Sequence, residues 1–181
     1  DLLVVSKVAP LVPKHVVVGF DAGQDPVRRE AAQRAMASGQ ATVSGPINLL
    51  LGKNRTQGFL VFLPVYREGA APVLADGRAA TVLGLLVSPV AITKLFFDAG
   101  EASNSKLNFS VFDGSRLEQD TLVYDDTVQR AASTAQSTTA SLNTAAVFVP
   151  KFTVDEALNV GGRLFTLRID STPEFESAQD R

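Results

Sequence analysis

The apolar residues of this chain occur in short runs that end at glycine, proline or aspartate, a pattern typical of buried strands separated by turns. The strand candidates of the first half are Val16–Phe20, Phe59–Tyr66 and Thr81–Val87, and they alternate with helical segments. The second half is richer in strands, with candidates Leu107–Phe112, Thr121–Tyr124, Val147–Phe152 and Arg163–Ile169. This order predicts an α+β fold in which strands and helices are mixed.

The best-defined helix follows a turn-forming group. Asp25 supplies a side-chain oxygen for the N-cap, and Pro26 stands at the first helical position, where a missing N–H costs no hydrogen bond. We expect the helix to run from Pro26 to about Ser38 and to end at Gly39. Its inward residues are the small Ala31, Ala32 and Ala35. Small residues allow a helix to lie close to a sheet.

The segments between these elements also carry predictions. Gly52–Gln57 is expected to be a polar turn, and Asp113–Gly114 a hairpin-type turn. Ser88–Pro89 is expected to open a helix that reaches about Phe97. The tract Ala131–Ala146 consists almost entirely of Ala, Ser, Thr, Gln and Asn. It has few large apolar groups with which to anchor itself, which favours a surface excursion.

Composition narrows the class of protein. The chain has 181 residues, of which 45% are hydrophobic and 20% charged, a balance typical of globular domains. Its 17 basic and 19 acidic residues are mixed along the chain, so no basic block is available to neutralise phosphates, and no nucleic acid partner is expected. The absence of cysteine excludes disulfides, thiolate zinc sites and cysteine nucleophiles. No apolar run is long enough to span a membrane.

Catalytic signatures are weak, and no enzyme, metal or cofactor is expected. His15 is the one histidine, and no Gly-x-Ser-x-Gly elbow accompanies it. Gly161–Arg163 could form a small anion-binding nest, although a turn leading into a strand is favoured. The carboxylates Asp125–Asp126 and Glu174 with Glu176 are expected to be ordinary solvated groups. A glycosidase-type pair stays open, because its two carboxylates can be far apart in sequence.

Four segments between Pro10 and Leu95 have the residues and order of a known family. They are Pro10–Leu11 with Gly19–Asp21, then Asp25–Ala32 ending at Ser38–Gln40, then Ser44–Pro46 with Leu49 and Phe62–Tyr66, and finally Gly84–Leu86 through Ile92. Taken together they resemble the CHASE domains, the sensory domains found outside the membrane in bacterial and plant receptors.

The resemblance implies a long N-terminal helix followed by two tandem PAS-like units with antiparallel sheets. The long helix and the flanking transmembrane segments are missing here, so the chain is expected to be a fragment. A membrane-distal ligand-binding unit would comprise residues 1–97 and a membrane-proximal unit residues 98–181. The implied whole protein is a receptor of the inner membrane with this portion in the periplasm or outside the cell. It is expected to be a homodimer with a histidine kinase, diguanylate cyclase or adenylyl cyclase output.

The resemblance also implies a ligand site. Asp21 falls where the plant cytokinin receptors of the family use an aspartate to pair with adenine, and Val43 where they have an apolar contact. Leu60, Phe62 and Leu86 could line the same cavity. The plain alternative is that Asp21 caps a turn and the others are core. Plant receptors carry threonine at the position of Phe62, whose ring would fill space that a purine needs.

Two functions are therefore open. In the first, a small organic ligand, with adenine-type cytokinins among the candidates, binds the first unit and acts by occupancy. In the second, the chain is a structural or partner-binding periplasmic domain whose cavity is filled by side chains.

Overall fold

The computed structural model describes residues 2–9, 18–51, 54–67, 81–96, 106–135 and 148–179. Its helices are α1 (Pro26–Ser38), α2 (Asp126–Ala135) and α3 (Pro173–Gln179), and residues 92–96 are also helical. Its strands are β1 (Thr42–Val43), β2 (Ile47–Leu51), β3 (Asn54–Tyr66), β4 (Val82–Ala91), β5 (Leu107–Asp113), β6 (Leu122–Asp125), β7 (Thr153–Val160) and β8 (Arg163–Ser171). All the strand pairs with a defined register are antiparallel. The predicted mixed α/β class with antiparallel sheets is confirmed.

The chain divides into two compact units. The first comprises Asp1–Ala91 with Asn159–Arg163, and the second comprises Ile92–Leu158 with Leu164–Arg181. The first unit contains the sheet of β1 to β4, in which β3 is the central strand. The second contains a sheet with strand order β6-β5-β8-β7. The membrane-distal and membrane-proximal roles of residues 1–97 and 98–181 stay a prediction.

Helix α1 has the predicted ends. The Asp25 carboxylate accepts a hydrogen bond of 3.0 Å from the backbone N–H of Arg28, and Pro26 is the first helical residue. Gly39 ends the helix with a φ of 73°, a left-handed conformation in which glycine has no Cβ penalty. The helix buries Ala31, Ala32 and Ala35 completely, so it lies close to β1 and β3.

The strands β1 and β2 form one broken strand. β4 pairs with one edge of β3 over Gly58–Tyr66, so β1 and β2 both pair with the opposite edge of β3. Thr42 lies opposite Phe62 and Ile47 lies opposite Gly58. The chain therefore advances five residues from β1 to β2 while β3 advances four, so one residue is extra. The extra residue is accommodated at Ser44, whose N–H donates to the Leu60 carbonyl while its Oγ accepts from the Leu60 N–H, both at 2.9 Å. This is a bulge in which a hydroxyl replaces a backbone acceptor.

Three predictions in the first unit are wrong or incomplete. β3 begins at Asn54, so Gly52–Gln57 is not a turn over its whole length. β4 continues to Ala91, so Ser88–Pro89 does not open a helix. Pro89 is tolerated in this strand because β4 pairs with β3 alone among the described strands. In Val16–Phe20 the first two residues lie outside the described residues, as does His15, and residues 18–19 form a turn.

In the second unit β5, β6 and β8 confirm three strand predictions. Of the predicted strand Val147–Phe152 the first residue lies outside the described residues, and residues 148–152 are not in a strand, since β7 begins at Thr153 and ends at Val160. Pro150 interrupts that apolar run, because proline cannot donate to a strand ladder. Residues up to Ala135 of the predicted surface excursion belong to α2, where alanine is a strong helix former. Residues 136–146 lie outside the described residues. Helix α3 has no counterpart among the predictions.

Candidate functional site

The register of the first sheet decides which predicted site residues share a face. In an antiparallel pair, directly opposite residues point to the same side of the sheet. Thr42 and Phe62 are opposite, and the Thr42 hydroxyl donates to the Ala31 carbonyl of α1 at 2.7 Å. Phe62 and Leu60 therefore lie on the side that faces α1, which we call the helix face.

The helix face carries the core of the first unit. Its buried members are Ala31, Ala32, Ala35, Ile47, Leu49, Leu60 and Phe62. Phe62 is 1% exposed, so its ring is enclosed by its neighbours. Leu3 and Leu85 pack against this cluster and are partly buried. The structure thus brings Leu60 and Phe62 together in a side-chain core beside the helix.

The opposite side of the sheet, which we call the outer face, carries the other two predicted residues. Leu86 lies opposite Leu63, and these side chains are 62% and 43% exposed. Val43 lies opposite Val61 on the same face but is 8% exposed. It is covered by Gly161, where an added Cβ would lie 2.7 Å from Val43 Cγ2. One cavity cannot contact both faces, so the structure separates Val43 and Leu86 from Leu60 and Phe62.

Asp21 holds the turn before α1 and the N-terminal segment together. Its Oδ1 accepts from the N–H of Gly23 at 2.8 Å and from the N–H of Leu3 at 2.9 Å. Asp21 also pairs with Val4 as an isolated antiparallel bridge. Because Leu3 packs against the core, this half-buried carboxylate is tied to the helix-face side. Both bonds use Oδ1, so Oδ2 is the oxygen that could accept from a ligand.

Arg34 organises the far end of α1, and the sequence analysis missed it. Its guanidinium donates to the carbonyls of Val43 at 2.8 Å and Gly162 at 3.0 Å, and it pairs with Glu30 one turn earlier. The Val43 N–H donates to the Gly161 carbonyl at 3.1 Å. The Glu-Arg spacing of four residues was the available signal, but it predicts the ion pair alone.

Gly161 and Gly162 form the turn between β7 and β8. Their φ values of 55° and 70° are those of a two-residue hairpin turn, which confirms the prediction of a turn leading into a strand. Carbonyls of this turn accept hydrogen bonds from Arg34. That is the polarity opposite to an anion-binding nest, which would present N–H groups to its ligand.

The second unit contains a buried charged residue that was predicted to be solvated. Asp126 is 2% exposed and forms an ion pair with Arg130, with 2.5 Å between Oδ2 and Nη2. Burial, together with the nearby Asp126 charge, raises the pKa of Tyr124 to about 12. The Tyr124 ring stacks on Phe109 with 5.3 Å between centroids. The prediction of ordinary solvation for Asp126 is therefore wrong, because the half-buried Arg130 one helical turn away pairs with the buried carboxylate.

Glu176 corrects the same prediction at a second place. Its Oε1 accepts from the Ser171 hydroxyl at 2.6 Å and from the Lys151 N–H at 2.7 Å. The hydroxyl bond is the main cause that holds the pKa of this carboxyl below its ordinary value, and the backbone bond adds to it. Glu176 therefore joins α3 to the segment that leads into β7, a fixed structural contact.

The described part of the chain lacks two features, a metal-binding cluster and a membrane-spanning helix. No group of three or more His, Asp or Glu side chains there could hold a metal ion. Within the same ranges, no helix has the length and apolar character needed to cross a membrane.

Comparison with solved structures gives distant likenesses. The ligand-binding domain of the Pseudomonas aeruginosa PAO1 amino acid chemoreceptor PctC, in complex with GABA, is 16% identical with a TM-score of 0.44, and the match covers 84% of this chain and 62% of that one. A structure of methyl-accepting chemotaxis protein X is 14% identical with a TM-score of 0.45, covering 84% and 56%. The chain spans about three fifths of the length of these structures.

Comparison with sequences gives the family. No curated protein is significantly similar to the chain. The CHASE domain model matches residues 1–124, which is more than half of the chain and includes the whole first segment of the first unit. The resemblance carried by the motifs around α1 and β3 is thereby confirmed. The chain belongs to the CHASE domain family of extracellular sensory domains.

Proposed function

We propose that this chain is the extracytoplasmic small-molecule sensor domain of a transmembrane receptor and that it signals by ligand occupancy without catalysis. The family match over residues 1–124 is the observation that carries the proposal. The output domain proposed is a histidine kinase or a diguanylate or adenylyl cyclase. The intact receptor would be a homodimer of an inner-membrane protein, anchored by helices that flank this periplasmic or extracellular portion.

The proposed ligand site lies on the helix face of the first sheet. Asp21 would supply the polar contact through Oδ2, while Oδ1 keeps its two backbone bonds. Phe62 and Leu60 would form the enclosed end of the apolar floor. Val87, which lies opposite Phe62 on the same face, is 44% exposed and extends that floor towards solvent. A floor of apolar side chains with one carboxylate suits a small organic ligand that carries an N–H group.

The outer face is the other place where predicted site residues lie. A ligand bound there would touch Leu86 and Leu63, whereas Val43 is covered by the Gly161 turn. A ligand on the helix face and a ligand on the outer face would be affected by different substitutions in β4. Val87→Ser changes the helix face and Leu86→Ser changes the outer face, and both side chains are substantially exposed. The proposal expects Val87→Ser to weaken ligand binding and Leu86→Ser to leave it unchanged.

The central experiment uses two substitutions of Asp21. The chain is first screened by thermal shift and titration calorimetry against adenine derivatives, amino acids and organic acids. Asp21→Asn retains an oxygen for the turn and removes the charge, so it is expected to keep the fold and lower affinity about tenfold or more, as for a charged hydrogen bond. Asp21→Ala also removes the turn bonds and lowers the melting temperature.

A matched control is Asp120→Asn, which changes an exposed carboxylate in the second unit. It is expected to bind every ligand as the wild type does. The proposal fails if no compound in the screen raises the melting temperature. The role of Asp21 fails separately if the Asn variant binds a discovered ligand with wild-type affinity.

A second candidate is a domain that binds a protein partner without a small-molecule ligand. The enclosed position of Phe62, at 1% exposure, favours it, because the helix-face interior next to α1 is already filled. On the outer face Leu63 and Leu86 leave apolar surface exposed. An empty ligand screen would support this candidate if Leu86→Asp also abolished the receptor's cellular output at an unchanged melting temperature.

A further inference from the structure

Arg28 lies in the first turn of α1, on the side of the helix that faces the core of the first unit. It precedes Ala31 by three residues and Ala35 by seven, and both alanines are completely buried. Residues at these spacings lie on one side of a helix. The Arg28 side chain therefore starts on the inward side of α1, and the residue is partly buried.

The Arg28 guanidinium has an N–H group that nothing in the described ranges satisfies. Its Nε is buried and has no hydrogen-bond partner. No carboxylate of the described residues forms an ion pair with this guanidinium. A buried donor without an acceptor is costly, and more so when the group is charged. Such groups are few in folded proteins, so this one indicates a partner that is not part of the chain.

The charges around the first turn of α1 add to this indication. The N-terminal end of a helix carries a partial positive charge, which disfavours cations and favours anions. The turn nevertheless has Arg28 and Arg29 and no acidic residue. The capping carboxylate of Asp25 accepts from the Arg28 backbone N–H at 3.0 Å, and Arg29 donates to the Gly23 carbonyl at 3.1 Å. A bound anion would relieve the unfavourable position of the Arg28 charge.

Another arginine of the chain shows which acceptor fits an Nε–H group. In the second unit Arg168 donates from Nε and Nη2 to the two oxygens of Asp155, at 2.7 and 2.8 Å. A carboxylate bound in this side-on way matches two parallel N–H groups of one guanidinium. It uses the same Nε–H that is unsatisfied in Arg28.

The ring of Phe20 covers the face of the Arg28 guanidinium and leaves its edge available. Arg28 Cζ lies over the ring, 5.4 Å from the centroid. Because the N–H groups lie in the plane of a guanidinium, a ring stacked on its face does not occupy them. The Phe20 side chain is 43% exposed, so it can turn aside to admit a ligand. Phe20 directly precedes Asp21, the proposed polar contact of the ligand.

We propose that Arg28 is the anion-binding residue of this sensor and that the ligand carries a carboxylate, which Nε and one Nη of the guanidinium bind side-on. The inference rests on the proposed function and adds a chemical class to its ligand, but it does not depend on the contact with Asp21. It favours amino acids and organic acids in the screen over adenine derivatives that have no carboxylate.

The Nε–H resonance of Arg28 in a nitrogen–proton correlation spectrum tests the site without an identified ligand. Arg28→Lys removes this resonance and so assigns it. Sodium acetate is then added at constant ionic strength, with sodium chloride as the reference. We expect a saturable shift of the Arg28 resonance with acetate and none with chloride. The Nε–H resonance of Arg168 should not move, because this group is already bonded to Asp155.

Titration calorimetry with matched ligands and variants is the second test. Each amino acid or organic acid that binds is compared with its neutral carboxamide. The wild type should bind the acid at least tenfold more tightly, as for a charged hydrogen bond, and Arg28→Gln should lose this preference. Arg28→Lys keeps the charge without the parallel N–H groups and should retain part of it. Arg55→Gln, which removes an exposed arginine of β3, is the control and should keep the wild-type preference.

Failure of this inference is distinguishable from failure of the proposed function. If no compound in the screen binds, the sensor proposal fails, while the acetate titration still decides whether Arg28 binds a carboxylate. If acids and amides bind the wild type alike, or Arg28→Gln keeps the preference, the sensor proposal stands and the role of Arg28 is overturned. An Arg28 resonance that acetate does not shift, or that inorganic phosphate alone shifts, would overturn it as well.

Discussion

Replacing Phe62 and Leu86 by alanine tests whether the sheet register divides the predicted site residues as described. Both were expected to line one cavity, yet Phe62 is 1% exposed on the helix face and Leu86 is 62% exposed on the outer face. The two positions are close in the sheet, since Leu86 is next to Val87, the residue opposite Phe62. A difference in stability between the two variants therefore shows on which face of the sheet each side chain lies.

The expected magnitudes follow from burial. An aromatic side chain buries roughly 150–250 Å², and at about 25 cal/mol per Å² its removal from water contributes about 4–6 kcal/mol. Alanine keeps one carbon of that group, and core Phe→Ala changes cost about 3–5 kcal/mol. We expect about 4 kcal/mol for Phe62→Ala, close to a thousandfold in the unfolding equilibrium. For the exposed Leu86 we expect a change within about 0.5 kcal/mol.

Urea unfolding followed by far-UV circular dichroism measures both changes. The midpoint for Phe62→Ala should fall well below that of the wild type, while Leu86→Ala should overlay the wild-type curve with the same denaturant slope. Leu63→Ala, the neighbour of Leu86 across the strands, is a control that should behave like Leu86→Ala. Equal losses at Phe62 and Leu86 would refute the register argument and return both residues to a single interior.

Two other measurements address packing and charge. Gly58→Ala should lower stability by about 1–3 kcal/mol, because the added Cβ would lie 2.0 Å from a methyl carbon of Leu49, and urea unfolding measures the loss. Gly84→Ala in the neighbouring strand is its control, since no atom lies within 4 Å of that Cβ, and equal losses would contradict the packing described. Glu176 has a lowered pKa in the folded state, so its contribution to stability is present above about pH 4.5, its ordinary value, and is lost as pH falls through the folded-state pKa. The urea midpoint of Glu176→Gln should therefore fall less than that of the wild type on acidification, and identical pH profiles would show that Glu176 does not contribute.

Local signals in the sequence were sufficient to predict α1 and both of its ends. Its cap at Asp25, the proline at its start and the glycine at its end act within a few residues, and the helix has the predicted bounds. Strand β7 gave no such signal. Because β7 is exposed on both faces, its sequence does not alternate between apolar and polar residues in the way that marks a half-buried strand, and it includes Asp155, Glu156 and Asn159. Polar composition then points to a loop, although backbone pairing with β8 makes a strand.

The candidate site was predictable in composition but not in arrangement. Asp21 could be recognised as an acceptor at a turn, and Phe62 as a strand residue. Which side of the sheet a strand residue faces depends on pairing, and one step in register moves it to the other side. No local pattern in β4 distinguishes Leu86 from Val87, so their opposite facing became apparent with the register to β3. The burial of Asp126 likewise depends on the position of Arg130 in the folded unit.

The bulge at Ser44 bears on how related chains are to be compared. Because a hydroxyl takes the role of a main-chain acceptor there, the strand holds one additional residue without leaving the Leu60 amide unsatisfied. The additional residue determines which positions of β2 face the core, and Ile47 and Leu49 are the ones that do. A relative with one residue fewer at this point would keep the same interior positions in β2, and an alignment without a gap would set the two patterns out of phase. Alignments through this segment are therefore better anchored on the alternation of interior positions than on the smallest number of gaps.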